Sequence, residues 1–410
     1  MRTAEWRILI LLVISIFINY IDRSNLSIAA PLIRHEMSLD PSQVGTLLSA
    51  FFWTYALCQL FGVAGWLVDR FDVGLVYAAG FLLWSTATAV TGMAQTFAAL
   101  FILRLFLGAG ESIAYPCYSK ILAGNFPEHH RGIANALLDA GSKLGPALGT
   151  LLGGHLIAYA GWRPFFVVLG LGCLVWLVPW MIWRPRDTTT SIAIAKEAAP
   201  SVAEIVASRS AWGTFIGLFC ANYFWFFLLT WLPSYLVDER HFSLEKMANI
   251  GSIAYFAIAT ATVIAGFVSD RSIASGASVT RVRKTMTVSG LMFSTIILPV
   301  AIVADQTTAI VLLFIACMAF GTFCSNHWAI TQTLAGPRAA GRWTSLQNGV
   351  GNLAGITAPW LTGVSVKQTG SYYVAFVIAA VIVLIGAFMY AFVIGRVEQV
   401  QFSKARTTSP

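Results

Sequence analysis

Charge is scarce in this chain: 11% of its 410 residues are Asp, Glu, Lys or Arg, against 57% hydrophobic. Mean hydropathy is +0.74. A soluble globule carries about twice that share of charge, so the composition excludes an ordinary water-soluble domain and leaves a bilayer as the solvent. The six cysteines, Cys58, Cys117, Cys173, Cys220, Cys317 and Cys324, lie singly in apolar runs. They lack the close spacing of zinc or redox motifs and read as small packing residues. Also missing are a phosphate-cradling glycine loop outside the apolar runs, a Ser/His/Asp or metal-ligand set at one depth, and any basic block suited to nucleic acid. No enzymatic activity, cofactor or metal is expected, and nucleic acid is not an expected partner.

What the chain has in abundance is apolar runs of membrane length. A hydrocarbon core about 30 Å thick takes roughly 20 helical residues per crossing. Twelve runs meet that need, at 7–30, 43–66, 74–94, 97–122, 133–158, 163–183, 210–236, 246–268, 284–304, 308–330, 342–365 and 371–395. An all-α integral membrane protein follows, in contact with lipid along most of its length. The first run follows a basic start, but Asn19, Asp22 and Arg23 interrupt it, and it is too long and polar for a cleaved leader. It is expected to remain in the mature chain.

With the amino terminus inside, most of the 26 lysines and arginines fall on the inner side, including Arg2, Arg7, Arg131, Arg184, Arg186, Arg281, Arg283, Lys284, Arg338 and Arg342. Arg34, Arg163, Arg240, Lys246 and Lys367 fall outside. This asymmetry predicts that both termini are cytoplasmic. The longest non-apolar stretch, 184–209, separates a six-helix unit at 1–183 from another at 210–396, with a tail at 397–410. Gly65-Trp66-Leu67-Val68-Asp69-Arg70 after the second span is echoed by Gly266-Phe267-Val268-Ser269-Asp270-Arg271 after the eighth. Paired halves suit alternating access. Gly65, Asp69, Arg70, Gly266, Asp270 and Arg271 are therefore expected to hold the cytoplasmic side closed, a role compatible with their plainer use as helix ends with surface charge.

Ionisable residues inside the spans are the strongest functional signal. At 1.5 Å per residue, Asp22 and Arg23 lie about 22 Å above the inner start of the first helix, and Arg104 about 10 Å below the outer start of the fourth. Glu111 follows roughly 10 Å deeper, and Lys143 rises about 15 Å into the fifth helix. Helical spacing groups Ser15, Asn19, Asp22 and Arg23; Arg104, Gly108, Glu111 and Tyr115; and Asp139, Ser142, Lys143 and Pro146. These faces are expected to line one cavity. Structural ion pairs are the alternative, but apolar packing would hold helices together without the desolvation that buried charges suffer. The second half offers neutral donors and rings instead: Asn222, Tyr223 and Trp225, then Asn326, His327 and Trp328, then Gln347, Asn348 and Asn352. Such groups suit hydroxyl recognition. Gly141, Gly145 and Gly149, around Pro146, permit close helix approach.

The runs Asn19-Tyr20-Ile21-Asp22-Arg23-Ser24-Asn25-Leu26-Ser27, Arg104-Leu105-Phe106-Leu107-Gly108-Ala109-Gly110-Glu111, Tyr115-Pro116 and Asn125-Phe126-Pro127-Glu128-His129-His130-Arg131 resemble the major facilitator superfamily, within it the anion:cation symporter group. The resemblance covers all twelve spans. It implies two six-helix bundles related by a pseudo-two-fold axis, working as a monomer in a bacterial cytoplasmic (inner) membrane. It implies proton-coupled uptake of a sugar acid such as a hexonate, hexuronate or aldarate, with Asp22 and Glu111 exchanging protons and Arg23 meeting the substrate carboxylate. Tyr55, Trp328 and Asn348 are implied substrate contacts; the placement of Arg104, Lys143 and Asn222 in the spans adds them as candidates. The chain departs from the family where Phe71-Asp72-Val73-Gly74 replaces a basic tail, and at Lys143, where some hexonate carriers have a neutral amide. Anion exchange, or a phosphorylated or other carboxylate cargo, fits the same residues. A receptor would need an added domain.

Overall fold

The computed structural model describes residues 3–125, 128–185 and 200–402. Residues 186–199 of the expected linker, 403–410 of the expected tail, Arg2, and the side chains of Asp69, Arg131, Asp139 and Arg338 lie outside the described residues.

Among the described residues, twelve rods cross the molecule. They are α1 (Thr3–Glu36), α2 (Pro41–Leu60 continued by Val63–Arg70), α3 (Val73–Thr91), α4 (Phe97–Glu111 and Ala114–Asn125), α5 (Glu128–Ala160) and α6 (Trp162–Leu174 and Leu177–Trp183). After a short helix at Val202–Val206 come α7 (Arg209–Ser234, ending in a wider turn at Tyr235–Glu239), α8 (Leu244–Ala274) and α9 (Val279–Ser294 and Ile297–Ile302). The segment His327–Asn352 breaks at Gly336, where φ is +63°. Its first part completes α10 after Gln306–Cys324, and its last part opens α11, which ends with Ala354–Thr369. Finally α12 spans Tyr373–Phe388 and closes through Met389–Val393.

Local chemistry explains the boundaries. The interiors are apolar, and short polar side chains cap the entries: Asp40 accepts from the Gln43 N–H, Asp72 from Leu75, Thr96 from Ala99, Ser243 from Lys246 and Asp305 from Thr308. Among the described residues, nine helices are long and apolar enough to cross a membrane; α2, α5 and α11 fall outside that set. Rod α2 packs on α11 and α5 packs on α8, so each half lays two of its helices against the other.

Those contacts display the symmetry. Moving six helices along the chain turns the α2–α11 pair into α8–α5, while α1 meets α7 across the middle. The closest approaches lie at the end away from the described chain ends. A Cβ on Gly45 of α2 would lie 2.6 Å from the Pro359 carbonyl oxygen of α11, and one on Gly251 of α8 would lie 3.1 Å from Thr150 of α5. Two ion pairs join the halves there, Arg34–Asp238 at 2.6 Å and Lys367–Asp40 at 3.0 Å.

Burial alone pushes the Asp40 carboxyl up, but the Gln43 N–H and the Lys367 ammonium outweigh it and hold the pKa below the ordinary carboxylate value of 3.8. The pair's contribution is therefore fully present above that value and fades as pH falls through the lowered one. Both side chains are well exposed, which limits such a pair to about 1 kcal/mol. Lys367→Ala should lower thermal stability in detergent by no more than that at neutral pH, and by nothing in strong acid; a larger loss would contradict the assignment.

At the end that carries the described chain ends, Leu57, Leu60 and Phe61 of α2 are exposed, as is Tyr115 of α4. Arg70, Asp270 and Arg271 are exposed as well and make no ion pair among the described residues. Gly65 has open space around it.

Candidate functional site

The site grows from a break in α4. Glu111 ends the Phe97–Glu111 segment, and the helix resumes only at Ala114; α10, its counterpart in the second half, is likewise interrupted after Cys324. Interruptions of this kind mark places where the backbone ladder yields to side-chain demands. Across from the α4 break, Arg23 of α1 donates from Nε to Glu111 Oε2 at 2.9 Å, and neither side chain reaches solvent to any extent.

Aromatic rings hold the Arg23 guanidinium. Its carbon lies 4.7 Å from the ring centres of Tyr20 and Tyr55 and 5.2 Å from Phe51. Phe51 carries a second guanidinium, that of Arg104, at 5.4 Å, and stacks on Tyr55 at 5.4 Å. Such contacts stabilise a cation without neutralising it, which leaves its charge available to an anion. Gly108 brings α4 onto α2 at this level: a Cβ there would collide with the Phe51 carbonyl oxygen.

The expectation of one shared face needs correction. At about 100° per residue, adjacent side chains on α1 diverge, and Asp22 points away from Arg23. Its Oδ1 accepts from Thr88 Oγ1 of α3 at 2.9 Å and from Asn25 at 3.1 Å, fully inside the first half. Gly108 also leaves the cavity face, because it serves the α2 contact. Arg104 is 3% exposed and enclosed beside Phe51, within electrostatic range of both Asp22 and Glu111. The four charges therefore form a compact cluster, closed to solvent.

The remaining candidates are spread over both halves. Tyr20 and Tyr115 share a hydroxyl contact at 3.0 Å, and Tyr115 is exposed. Lys143 of α5 sits with its ammonium 5.6 Å from the Trp225 ring of α7, so it touches both halves. Asn222 faces Gly351 of α11, and Asn348 is half-buried one turn from Asn352, whose amide donates to the Asn348 carbonyl oxygen at 3.0 Å. Trp328 is half-buried against the His327 ring, which itself stacks on Phe323. Gln347 turns inward instead, accepting from Thr331 at 2.7 Å.

Thr88, Phe51 and Trp84 escaped the sequence reading. Phe51 had a signal, since it precedes Tyr55 by one helical turn. Thr88 had none; a threonine in an apolar helix looks the same whether it bonds its own backbone or a distant carboxylate.

Known proteins share this architecture. The sequence profile of the Major Facilitator Superfamily matches residues 12–359. A D-galactonate transporter from Escherichia coli O6:H1 is 30% identical over 96% of this chain and 96% of its own length, and a hexuronate transporter from Bacillus subtilis is 31% identical over 88% of each. A solved bacterial homolog of the human lysosomal transporter Spinster, inward-facing and occupied, superposes with a TM-score of 0.81 at 19% identity, covering 96% of this chain and 97% of that one.

Proposed function

Because this chain belongs to the Major Facilitator Superfamily, we propose that it is a secondary transporter that takes up a sugar acid together with protons, both termini lying in the cytoplasm. The galactonate and hexuronate relatives support the cargo class; lysine and arginine asymmetry supports the orientation. On that orientation the end where Gly45 meets Pro359 and the Arg34–Asp238 and Lys367–Asp40 pairs join the halves is the outer one.

A single observation carries the reading: Arg23 is bound to Glu111 at 2.9 Å deep within the first half. A substrate carboxylate needs the same forked donors. Protonating Glu111 removes its charge and frees Arg23, so proton and anion favour each other's binding and travel together. At the inner face, proton loss lets Glu111 reclaim Arg23 and displace the anion. Lys143 adds positive charge, Arg104 balances the carboxylates from behind, and Tyr55, Asn222, Trp328 and Asn348 contact the hydroxylated chain. Asp22 takes part in proton exchange. The Gly65–Arg70 and Gly266–Arg271 motifs engage when the inner end closes.

The test is reconstitution in sealed vesicles with an acid exterior and a panel of hexonates, hexuronates and aldarates, recording substrate-induced proton entry. Uptake with no proton movement, or uptake of none of these acids, would overturn the proposal. Arg23→Lys keeps the charge but loses the fork. A charge-assisted hydrogen bond is worth about 1.5–3 kcal/mol, so apparent affinity should fall about tenfold to a hundredfold. An unchanged affinity would remove Arg23 from the binding site.

A further inference from the structure

Beyond α12 the backbone runs on as a strap, residues 394–402, laid across one end of the second half, where Ile394 and Val397 are buried. Lys284 of α9 fastens its start. The ammonium donates to the carbonyl oxygens of Ala391 at 2.7 Å, Ile394 at 2.9 Å and Gly395 at 3.4 Å. The last carbonyls of a helix have no partner within it, so a cation placed there satisfies the end of α12. One turn earlier on α9, Thr280 Oγ1 accepts from the Val397 N–H at 3.0 Å.

Further along, the strap reaches the corner between α10 and α11. The Val400 N–H donates to the Leu334 carbonyl oxygen at 2.8 Å, just ahead of the break at Gly336. A carbonyl orphaned at the end of α10 thus finds its partner in the tail. The Gln399 side chain lies against Gly336, where a Cβ would collide with it and where φ of +63° already favours glycine. Phe402 meets the Trp343 ring of α11 edge-on, with ring centres 6.5 Å apart, and Trp343 donates in turn to the Thr214 hydroxyl of α7 at 2.9 Å. The first half makes a shorter tie of the same kind: Arg184, just past α6, pairs at 2.6 Å with Asp72, just ahead of α3. Both halves therefore join the end of their last helix to the start of their third, and in the second half the strap extends that tie to α10 and α11.

We propose that residues 394–402 are a conformational brace: they bind the ends of α9, α10, α11 and α12 into one body, and transport depends on that body turning as a unit. Alternating access moves one half against the other, and helices whose ends are joined carry that motion together. The α10–α11 corner needs the joint most. It bends at a single glycine, and its two arms bear Trp328 and Asn348. The inference requires a transporter whose halves move; it does not rest on the cargo or on proton coupling.

Ending the chain after Arg396 removes Val397, Gln399, Val400 and Phe402, whereas ending it after Phe402 keeps the whole strap. In the shorter protein, amide hydrogen exchange through residues 327–345 should rise at least about tenfold while the first half stays as protected as before, and exchange of sugar acid across vesicle membranes should fall by about the same factor. The longer protein should match the full chain in both. Unchanged amide exchange in the shorter protein, or faster amide exchange with normal transport, overturns the brace. So does an equal loss in the longer one, which would place the effect beyond Phe402. Should the shorter protein fail to fold, Val400→Pro and Val400→Ala decide, because only the proline lacks the N–H that Leu334 receives. An opened corner with slowed transport in the proline variant alone supports the brace, and equal behaviour of the two overturns it. A wrong cargo looks different: the full chain would then exchange no sugar acid, and the amide measurements would decide by themselves.

Discussion

Glu111→Gln should abolish proton-driven accumulation in sealed vesicles and leave exchange of external for internal substrate running. The amide has the carboxyl's shape and no proton to lose at any working pH. In the wild-type structure the Glu111 carboxylate holds Arg23 at 2.9 Å in a site closed to solvent. Deleting one member of a buried pair leaves the other charge uncompensated, at a cost of about 3–5 kcal/mol that an incoming carboxylate can relieve. Substrate affinity should therefore rise or hold, and it should lose its dependence on pH. Net uptake requires the opposite property, a carrier that lets its anion go when the proton leaves. Accumulation should fall by at least about a hundredfold, in line with the loss of a positioned proton-transfer group. The measurements are pH-jump uptake, counterflow and substrate binding across pH. A variant that still concentrates substrate on a proton gradient would exclude Glu111 from the coupling path.

Gly45→Val should trap the protein with its outer end open. A Cβ at position 45 would lie 2.6 Å from the Pro359 carbonyl oxygen and 3.1 Å from the Gly363 Cα, both backbone atoms that cannot swing aside. On the proposed cycle the helices α2 and α11 touch there only when the outer end is closed. The penalty thus falls on one state and not the other. Overpacking of about 1–3 kcal/mol shifts the closed-to-open ratio by roughly 5- to 150-fold, and larger branches at Val shift it further. Transport should drop accordingly, while binding of substrate added from outside survives. Spin labels on the outer ends of α1 and α7 should report a longer separation than in the wild type. Gly172→Val is the control, since a Cβ there meets nothing within 4 Å, and it should transport normally. Normal transport by Gly45→Val would mean that the α2–α11 contact does not tighten during the cycle.

The sequence reached the architecture because a bilayer imposes a local rule. Each crossing must be helical and apolar for about 20 residues, whatever surrounds it, so the run 163–183 anticipates α6 within a residue and 97–122 anticipates α4 nearly as well. Rods α2, α5 and α11 were still found, yet their composition is the least membrane-like of the twelve. Arg23 and Glu111 were legible for a related reason: a charge at membrane depth stands out against hydrocarbon.

What the chain alone established about this protein was a bundle of long apolar helices and which of them carry buried charge. Tertiary structure alone decided the pairing. Arg23 meets Glu111 across 88 positions, and Asp22 turns to Thr88 across 66. Neighbours on α1 thus face different helices, because side chains about 100° apart are sorted by what packs against each, and that information is spread over the whole bundle.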